Sequence, residues 1–167
     1  MIFVTVGTDH HQFPRLLRAV DDIAGTGEVG DEFVVQYGMN NYVPRHCEAH
    51  DFLPFDSMKT YIDRARIVVT HGSSTALLAL AADKSPIIVP RLKRLNEIID
   101  DHQWQFAQCV KDIAPVLVVD DIRELDTTIQ NYDELARERR ARFGATGQEG
   151  SDTAVQMLHA TIRRWFP

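Results

Sequence analysis

The sequence predicts an α/β domain in which a parallel sheet is covered by helices on both faces. Five short apolar runs, each of four or five residues and rich in β-branched side chains, are bounded by Gly, Pro, Asp or Asn. Strands that are apolar on both faces are typical of parallel sheets buried between helices. Segments with helical periodicity separate the runs, so strands and helices alternate. We therefore expect a single Rossmann-like, doubly wound domain.

The predicted strands follow one another along most of the chain. They are Ile2–Val6, Phe33–Tyr37, Ile67–Thr70, Pro86–Pro90 and Val116–Val119, with a weaker candidate at Cys47–Phe52.

The helices between them are recognised by apolar residues at i, i+3 and i+4. Thr75–Ala82 carries small or apolar residues all round, which predicts a buried helix. The predicted helices are Phe13–Ile23, Ser57–Ala65, Thr75–Ala82, Glu97–Val110 and Leu125–Phe143.

The chain divides into a domain, a linker and a terminal helix. Residues 1–143 form the predicted domain, and residues 144–150 read as a linker. Ser151 then caps a helix over residues 151–167. We interpret this helix as a possible docking element for a partner. Its apolar stripe is Val155, Leu158, Ile162, Trp165 and Phe166.

Composition excludes several classes of protein. The net charge is −6 and no Lys/Arg run exceeds two residues, which disfavours nucleic-acid binding. Two cysteines cannot build a disulfide framework. The first residues lack the basic region of a signal peptide, and no apolar run approaches the ~20 residues of a membrane span. We expect a soluble, cytoplasmic domain.

The sharpest candidate site follows the predicted strand Ile67–Thr70. His71 and Gly72 turn the chain there, and Ser73, Ser74 and Thr75 begin a helix. Free amides at a helix N-terminus, with hydroxyls beside them, suit a diphosphate, although an ordinary capped turn has the same residues. The chain has no P-loop and no dinucleotide-binding glycine motif, which argues against a nucleotide-sugar epimerase or dehydrogenase.

Other polar clusters give weaker signals. The polar run from Asp100 to Gln103 can bind sugar hydroxyls and phosphate oxygens, or simply start a helix. His46, Cys47 and His50 lack the spacing of a zinc site. A serine nucleophile would need a G-x-S-x-G turn, which is absent at Ser73 and Ser74.

Six stretches together carry a family resemblance over about residues 1–120. With them the chain resembles the C-terminal, donor-binding half of GT-B glycosyltransferases of family 28. It is most similar to the small subunits of split transferases in bacterial exopolysaccharide synthesis, and to the catalytic subunit of the eukaryotic UDP-N-acetylglucosamine transferase of N-glycan assembly. The stretches are Phe3–Thr8 (FVTVGT), Phe13–Leu17 (FPRLL), Val34–Gly38 (VVQYG), Ile67–Gly72 (IVVTHG), Pro86–Arg91 (PIIVPR) and Glu97–Gln103 (EIIDDHQ).

The resemblance implies a role for each loop. Gly7 and Thr8 would form a turn facing the acceptor, and His71, Gly72 and Ser73 would open the phosphate-binding loop. Contacts to the donor sugar, the diphosphate and the base would come from the remaining implied residues. These are Phe52, Leu53, Phe55, Ser74, Thr75, Glu97, Asp101, His102 and Gln103.

The function implied by the resemblance is that of one half of an enzyme. The chain would be the donor-binding, catalytic subunit of a two-component inverting transferase, moving a hexose from UDP to a lipid-linked saccharide. A membrane-anchored acceptor-binding subunit would bring it to the membrane. We expect no metal or other cofactor. The nearest candidates for the catalytic base are Thr8, His10 and His11.

Two departures from the family pattern support an alternative. The chain reads H-G-S-S-T where the family usually has H-G-G-x-G-S, and Ala79 stands where the family carries a ribose-binding acid. The alternative is a non-catalytic regulatory or scaffold subunit with a degenerate nucleotide site.

Overall fold

The computed structural model describes residues 1–72 and 74–144, and within them the chain forms six strands and six α-helices. Short 3₁₀ helices at Lys93–Leu95 and Ile122–Glu124 complete the pattern. The strands are β1 (Ile2–Thr5), β2 (Phe33–Gln36), β3 (Glu48–His50), β4 (Ile67–Thr70), β5 (Ile87–Ile88) and β6 (Leu117–Val118). The helices are α1 (Pro14–Thr26), α2 (Phe55–Arg64), α3 (Ser74–Ala81), α4 (His102–Ile113), α5 (Leu125–Gln130) and α6 (Tyr132–Gly144).

All six strands belong to one parallel sheet with the order β3-β2-β1-β4-β5-β6. Ile2 of β1 is in register with Phe33 of β2 on one side and with Ile67 of β4 on the other. The chain thus winds outwards from β1 to β3, returns to the centre, and winds outwards again to β6. This is the doubly wound arrangement of Rossmann-like domains, so the predicted fold class is confirmed.

Successive side chains of β1 alternate between two apolar layers, as a strand requires. Ile2 and Val4 pack with α1, α5 and α6 on one face of the sheet. Phe3 packs with α2 and α3 on the other face. Both layers are needed because each fully buried aliphatic or aromatic side chain contributes about 1.5–3 kcal/mol. The continuously apolar strands of the sequence are therefore explained by burial on both sides.

Helix α1 follows the predicted apolar spacing and ends at a glycine. Pro14 occupies its first turn, where the missing amide costs no intrahelical hydrogen bond. Gly27 closes the helix in a left-handed conformation, and its N–H donates to the carbonyl oxygen of Ala24 at 3.3 Å. The buried stripe is Leu16, Leu17, Val20 and Ile23.

Two of the predicted helices differ most from the structure. The helix predicted from Glu97 begins at His102, because Glu97 is held in the preceding loop by contacts to distant residues. The helix predicted over Leu125–Phe143 is divided at Asn131, whose side-chain amide donates to the carbonyl of Thr127 at 2.8 Å and ends α5.

Helix α3 is only partly buried, which corrects the expectation of a wholly buried helix. Ala76 and Ala79 are fully covered, whereas Leu77 and Leu78 are half-buried and Ala81 is exposed. Its contacts to α2 and β4 bury the small side chains, and the opposite side of the helix remains open.

Some expectations fall outside the described residues. These are the role of Ser73, the linker after Gly144, which itself ends α6, and the helix over 151–167. None of the helices within the described ranges is long and apolar enough to cross a bilayer.

Candidate functional site

The candidate site lies at the carboxyl edge of the sheet, where the loops after β1 and β4 meet. These two strands are neighbours, and the strand order reverses between them. Open α/β sheets bind their ligands in the crevice at this reversal point. The topology therefore brings together Gly7, which follows β1, and His71, which follows β4.

Gly7 and His71 are in direct contact. A Cβ atom added at Gly7 would lie 2.6 Å from Cε1 of the His71 ring, closer than carbon atoms approach. Gly7 also has a φ of +76°, which side chains other than that of glycine disfavour. Glycine at this position lets the backbone of the first loop pack on the imidazole.

His71 is a buried, uncharged imidazole at the base of the site. Burial, helped by the positive charge of Arg91, lowers the pKa of His71 to about 4. Its Nδ1 atom has no hydrogen-bond partner among the described residues. His71 is therefore an uncharged imidazole packed under the loop after β1.

Two helix N-termini lie beside Gly72. Helix α3 begins two residues later at Ser74, with Thr75 buried behind it. Gly72 also lies near the first turn of α4, since a Cβ added there would lie 3.9 Å from the carbonyl oxygen of Gln103. The first amides of each helix have no intrahelical partner and carry the positive end of the dipole. The start of each helix is therefore a candidate anion site.

Arg91, which the sequence analysis did not single out, is the largest fully buried side chain among the described residues. One terminal nitrogen donates to the carbonyl oxygens of His11 at 2.6 Å and Glu97 at 2.9 Å, and the other to Val6 at 2.9 Å. Its guanidinium lies 4.8 Å from the centre of the Phe13 ring. Arg91 therefore fastens the loops after β1 and β5 to each other. The sequence feature that could have identified this residue is an arginine directly after a predicted buried strand.

Glu97 is nine-tenths buried and makes a two-pronged ion pair with Arg15 of α1. Nε of Arg15 is 2.9 Å from Oε1 of Glu97, and the terminal nitrogen is 2.9 Å from Oε2. Oε2 also accepts the N–H of Leu92 at 3.0 Å. These contacts hold the Glu97 carboxylate in the loop, and its contact with the donor stays a prediction.

The loops after β1 and β5 carry the same local motif, Asp-x-His. In the first, Oδ1 of Asp9 accepts the N–H of His11 at 2.7 Å and the His11 ring through Nδ1 at 2.6 Å. In the second, Oδ1 of Asp100 accepts the N–H of His102 at 3.0 Å and lies in contact with its Nδ1. Sequence analysis named both histidines and included Asp100 in a polar run, but it did not name Asp9. The spacing D-x-H after a buried strand would have found them.

Both aspartates are held ionised. Burial acts to raise the pKa of Asp9, but hydrogen bonds from His11 and the charge of Arg91 outweigh it and keep that pKa below its usual value. Hydrogen bonds from the backbone and ring of His102 lower the pKa of Asp100. An ionised carboxylate only accepts hydrogen bonds. The Nδ1 atoms of both rings must therefore carry protons, and Nε2 is the free acceptor in each neutral ring.

Asp9, His10 and His11 are the described residues that could share a cation. One ligand atom from each lies within 4.8 Å of the other two. His10 is mostly exposed, and its ring lies 4.2 Å from that of His11, centre to centre. The expectation that the protein uses no metal stays a prediction. Thr8, the remaining base candidate, is exposed beside this group.

The side chains of Asp101 and Gln103 each accept a hydrogen bond from the backbone of the loop after β5. Oδ1 of Asp101 accepts the N–H of Lys93 at 3.2 Å, and Oε1 of the buried Gln103 accepts the N–H of Arg91 at 3.3 Å. Both lie at the start of α4, next to Gly72. They shape this wall of the site whether or not they also contact a ligand.

The residues expected to contact the nucleobase of the donor follow β3 at the same edge of the sheet. Phe52 and Phe55 are 47% and 59% exposed, which is unusual for phenylalanine and leaves both rings open to a ligand or partner. The N–H of Leu53, which lies between the two phenylalanines, donates to Oε1 of Gln36 at 3.2 Å. This hydrogen bond holds the segment after β3 against the end of β2.

His46, Cys47 and His50 are engaged separately. Nδ1 of His46 lies 3.2 Å from Oδ1 of Asp21, and Nε2 of His50 lies 2.7 Å from Glu48. Burial raises the pKa of Cys47 to about 12, so this thiol is not a ready metal ligand or nucleophile. The expectation that the trio binds no zinc stays a prediction.

Ala79 lies in an apolar layer between α2, α3 and the sheet. It is fully buried with Phe3, Ile62 and Val68. A carboxylate at this position would enter the core in the arrangement seen here. The apolar packing around Ala79 therefore suits alanine and would not accommodate the acid that the family carries here.

The sequence matches the model of the glycosyltransferase family 28 C-terminal domain over residues 1–155. No curated protein sequence matches. Similar solved structures include the glycosyltransferase SnogD from Streptomyces nogalater, with 18% identity, a TM-score of 0.46, and coverage of 95% of this chain and 43% of that one. The glycotransferase of kitacinnamycin has 18% identity, a TM-score of 0.51, and coverage of 93% and 42%. Spinosyn forosaminyltransferase SpnP has 16% identity, a TM-score of 0.49, and coverage of 97% and 43%. The chain thus spans less than half the length of these proteins.

Proposed function

The chain belongs to the family of glycosyltransferase family 28 C-terminal domains, and on that basis we propose that it is the donor-binding half of a two-component glycosyltransferase. The donor is a UDP-sugar of the hexose type. The acceptor is a lipid-linked saccharide, presented by a membrane-anchored partner subunit that holds this chain at the cytoplasmic face of the membrane.

The observation that carries the proposal is the anion site beside Gly72. Helix α3 begins two residues after Gly72, and a Cβ added at Gly72 would lie 3.9 Å from the carbonyl oxygen of Gln103 in the first turn of α4. A diphosphate matches this arrangement because its oxygens accept hydrogen bonds from helix amides and from nearby donors. The donor sugar would then lie towards Asp101, His102 and Gln103. The base would lie towards Phe52, Leu53 and Phe55.

The reaction we propose is an in-line displacement at the anomeric carbon with inversion. His11 is the best-placed base, because Asp9 holds its Nδ1 protonated and leaves Nε2 free to take the proton of the acceptor hydroxyl. The bond from the anomeric carbon to the β-phosphate oxygen breaks, and negative charge develops on the departing UDP. The two helix N-termini stabilise that charge in the transition state.

Exposed apolar side chains at the carboxyl edge of the sheet support the proposal of a partner. Met39, Phe52, Phe55, Leu95, Ile99 and Trp104 are large, apolar and between 42% and 73% exposed. All six lie in segments that follow the carboxyl ends of strands. Exposed apolar groups concentrated on one side of a domain mark an interaction surface. Docking through residues 151–167 remains a prediction from the sequence.

Thermal unfolding with nucleotides tests the donor site. We expect UDP to raise the melting temperature more than UMP, and uridine to have little effect, because the diphosphate supplies the main contacts. A ligand at a hundredfold excess over its Kd stabilises the native state by about 2.7 kcal/mol. GDP serves as the control for the base. No shift at millimolar UDP would remove the proposal.

The second candidate is a non-catalytic scaffold subunit, favoured by Ala79 in its apolar layer. Such a chain would bind the same partner but no nucleotide. Calorimetric titration with UDP and UDP-sugars separates the two functions, since only the transferase half takes up the nucleotide. Binding of partner without UDP would favour the scaffold.

A further inference from the structure

We propose that Asn40 is a positioning residue that holds the loop after β1, so that the ring of His11 stays where it can act as the base. The catalytic part of this inference rests on the proposed function, whereas the hold of Asn40 on the loop stands on geometry alone.

The side chain of Asn40 joins the loop after β2 to the loop after β1. Asn40 is 6% exposed, which is low for an amide side chain in a loop. Its Oδ1 accepts the backbone N–H of Phe13, and its Nδ2 donates to the carbonyl oxygen of Tyr37 at 2.7 Å. Both ends of the buried amide are therefore paired, which fixes the orientation of the side chain.

A second amide makes the reverse connection, from the loop after β1 to the loop after β2. Nε2 of Gln12 donates to the carbonyl oxygen of Met39 at 3.0 Å, and Oε1 of Gln12 accepts the N–H of Asn41 at 2.8 Å. Each loop thus contributes an amide side chain that bonds to the backbone of the other loop. We call Asn40 and Gln12 the amide clasp.

Other contacts restrain the same loop on its remaining sides. A terminal nitrogen of Arg91 donates to the carbonyl oxygen of His11 at 2.6 Å. The backbone of Gly38 packs on Gly7, since a Cβ added at Gly38 would lie 2.5 Å from the carbonyl oxygen of Gly7. The ring of His71 lies against Gly7 as well. The backbone of His11 is therefore held by Arg91 on one flank and by the amide clasp on the other.

This restraint matters for the ring that the loop presents. The side chains of Asp9 and His11 are 35% and 26% exposed, so a substrate has access to the pair. Asp9 fixes which ring nitrogen of His11 is free, through its contact with Nδ1 at 2.6 Å. The backbone of the loop fixes where that nitrogen lies. A displacement of about 1 Å can cost on the order of 10²-fold in rate, so a buried residue that fixes the backbone has a catalytic effect.

The hold on His11 is tested by ¹⁵N NMR of the full chain with labelled histidine, with the resonances assigned by His11→Gln. The wild type should show a protonated Nδ1 and an unprotonated Nε2. In Asn40→Ala the proton should redistribute between the two nitrogens, because the loosened loop leaves the contact with Asp9 for part of the time. Asn40→Asp, which keeps an acceptor for the N–H of Phe13, should restore part of the wild-type signature.

Two further variants separate this role from a loss of stability. Gln12→Ala removes the other half of the clasp from a side chain that is only partly buried, and should move the signature in the same direction. Ser85→Ala is the matched control. Ser85 is fully buried before β5, at the opposite edge of the sheet, and accepts a hydrogen bond from Arg140 at 3.0 Å. Its loss should leave His11 unchanged. An unchanged signature in both Asn40→Ala and Gln12→Ala overturns the positioning role.

The catalytic part is tested by hydrolysis of UDP-glucose, UDP-galactose and UDP-N-acetylglucosamine, with water in place of the acceptor. The water oxygen bonds to the anomeric carbon, its proton passes to Nε2 of His11, and UDP leaves. For the donor hydrolysed fastest, Asn40→Ala should lower kcat at least about tenfold and change KM by no more than about twofold. Ser85→Ala should leave both constants unchanged.

The other results of the hydrolysis assay count against the inference. A higher KM with an unchanged kcat would mean that Asn40 acts on donor binding. An unchanged kcat with an altered NMR signature would mean that His11 is not the base. Either result overturns the catalytic part. If the wild type hydrolyses none of the three donors, the catalytic part fails with the proposed function, and the NMR signature still decides whether Asn40 holds His11.

Discussion

At the scale of single residues, His71 couples the site to the stability of the fold. Its imidazole is neutral and buried, and burial lowers its pKa to about 4. In the unfolded chain the same group takes up a proton near pH 6.5. Between these two values the unfolded state binds more protons, so the free energy of unfolding must fall as the pH falls.

We therefore expect the stability contributed by neutral His71 to be fully present above pH 6.5 and lost progressively towards pH 4. The total loss is on the order of 3 kcal/mol. Urea unfolding at a series of pH values measures the slope. His71→Gln should flatten it in this interval, and an equal slope in that variant would show that other groups carry the effect.

Gly7 offers a test of the contact between the first loop and the His71 ring. Gly7→Ala should cost about 1–2 kcal/mol for the left-handed backbone and roughly 1–3 kcal/mol more for overlap with the ring, 2.6 Å away. Gly27→Ala is the matched control, since Gly27 has a φ of +70° and no atom within 4 Å of an added Cβ. Chemical denaturation of both variants gives the difference. Equal costs would mean that the ring moves aside freely.

At the scale of elements, Arg91 joins loops that are far apart in sequence. Its guanidinium reaches three carbonyl oxygens in different directions, which a lysine ammonium cannot do. We expect Arg91→Lys to cost about 2–4 kcal/mol in the free energy of unfolding. The exposed Arg123, paired with Asp121, is the control, and Arg123→Lys should leave the free energy of unfolding nearly unchanged. A cost at Arg91 no larger than at Arg123 would contradict its role.

The same comparison shows what the sequence could predict. The strands and α1 were predictable because apolar runs and helical spacing are local properties, visible in Ile67–Thr70 or Leu16 and Leu17. The start of α4 was not, because it depends on an ion pair between Glu97 and Arg15, which lie on different elements. The role of the buried Arg91 could not be predicted for a related reason. Its partners are backbone carbonyls, which no side-chain pattern reveals.

At the scale of the whole molecule, the chain matches less than half of a longer glycosyltransferase. The match to the kitacinnamycin glycotransferase, which shares its fold, covers 93% of this chain but only 42% of that protein. We expect the isolated chain to bind UDP-sugar without transferring the sugar to a lipid-linked acceptor, because the proposed function assigns the acceptor site to the partner. Transfer assays with radiolabelled donor, with and without the membrane-anchored subunit, measure this. Rapid transfer by the isolated chain would end the two-component proposal.

The central place of β1 also governs how the chain must be made. Ile2–Thr5 pairs with β2 on one edge and with Ile67–Thr70 on the other. At about 5–20 residues per second, translation delivers the second partner on the order of seconds after the first strand. During that interval an apolar strand has an open edge, which is a template for pairing with another nascent chain. The newly made polypeptide, rather than the finished fold, is thus the stage at which this protein most needs a chaperone.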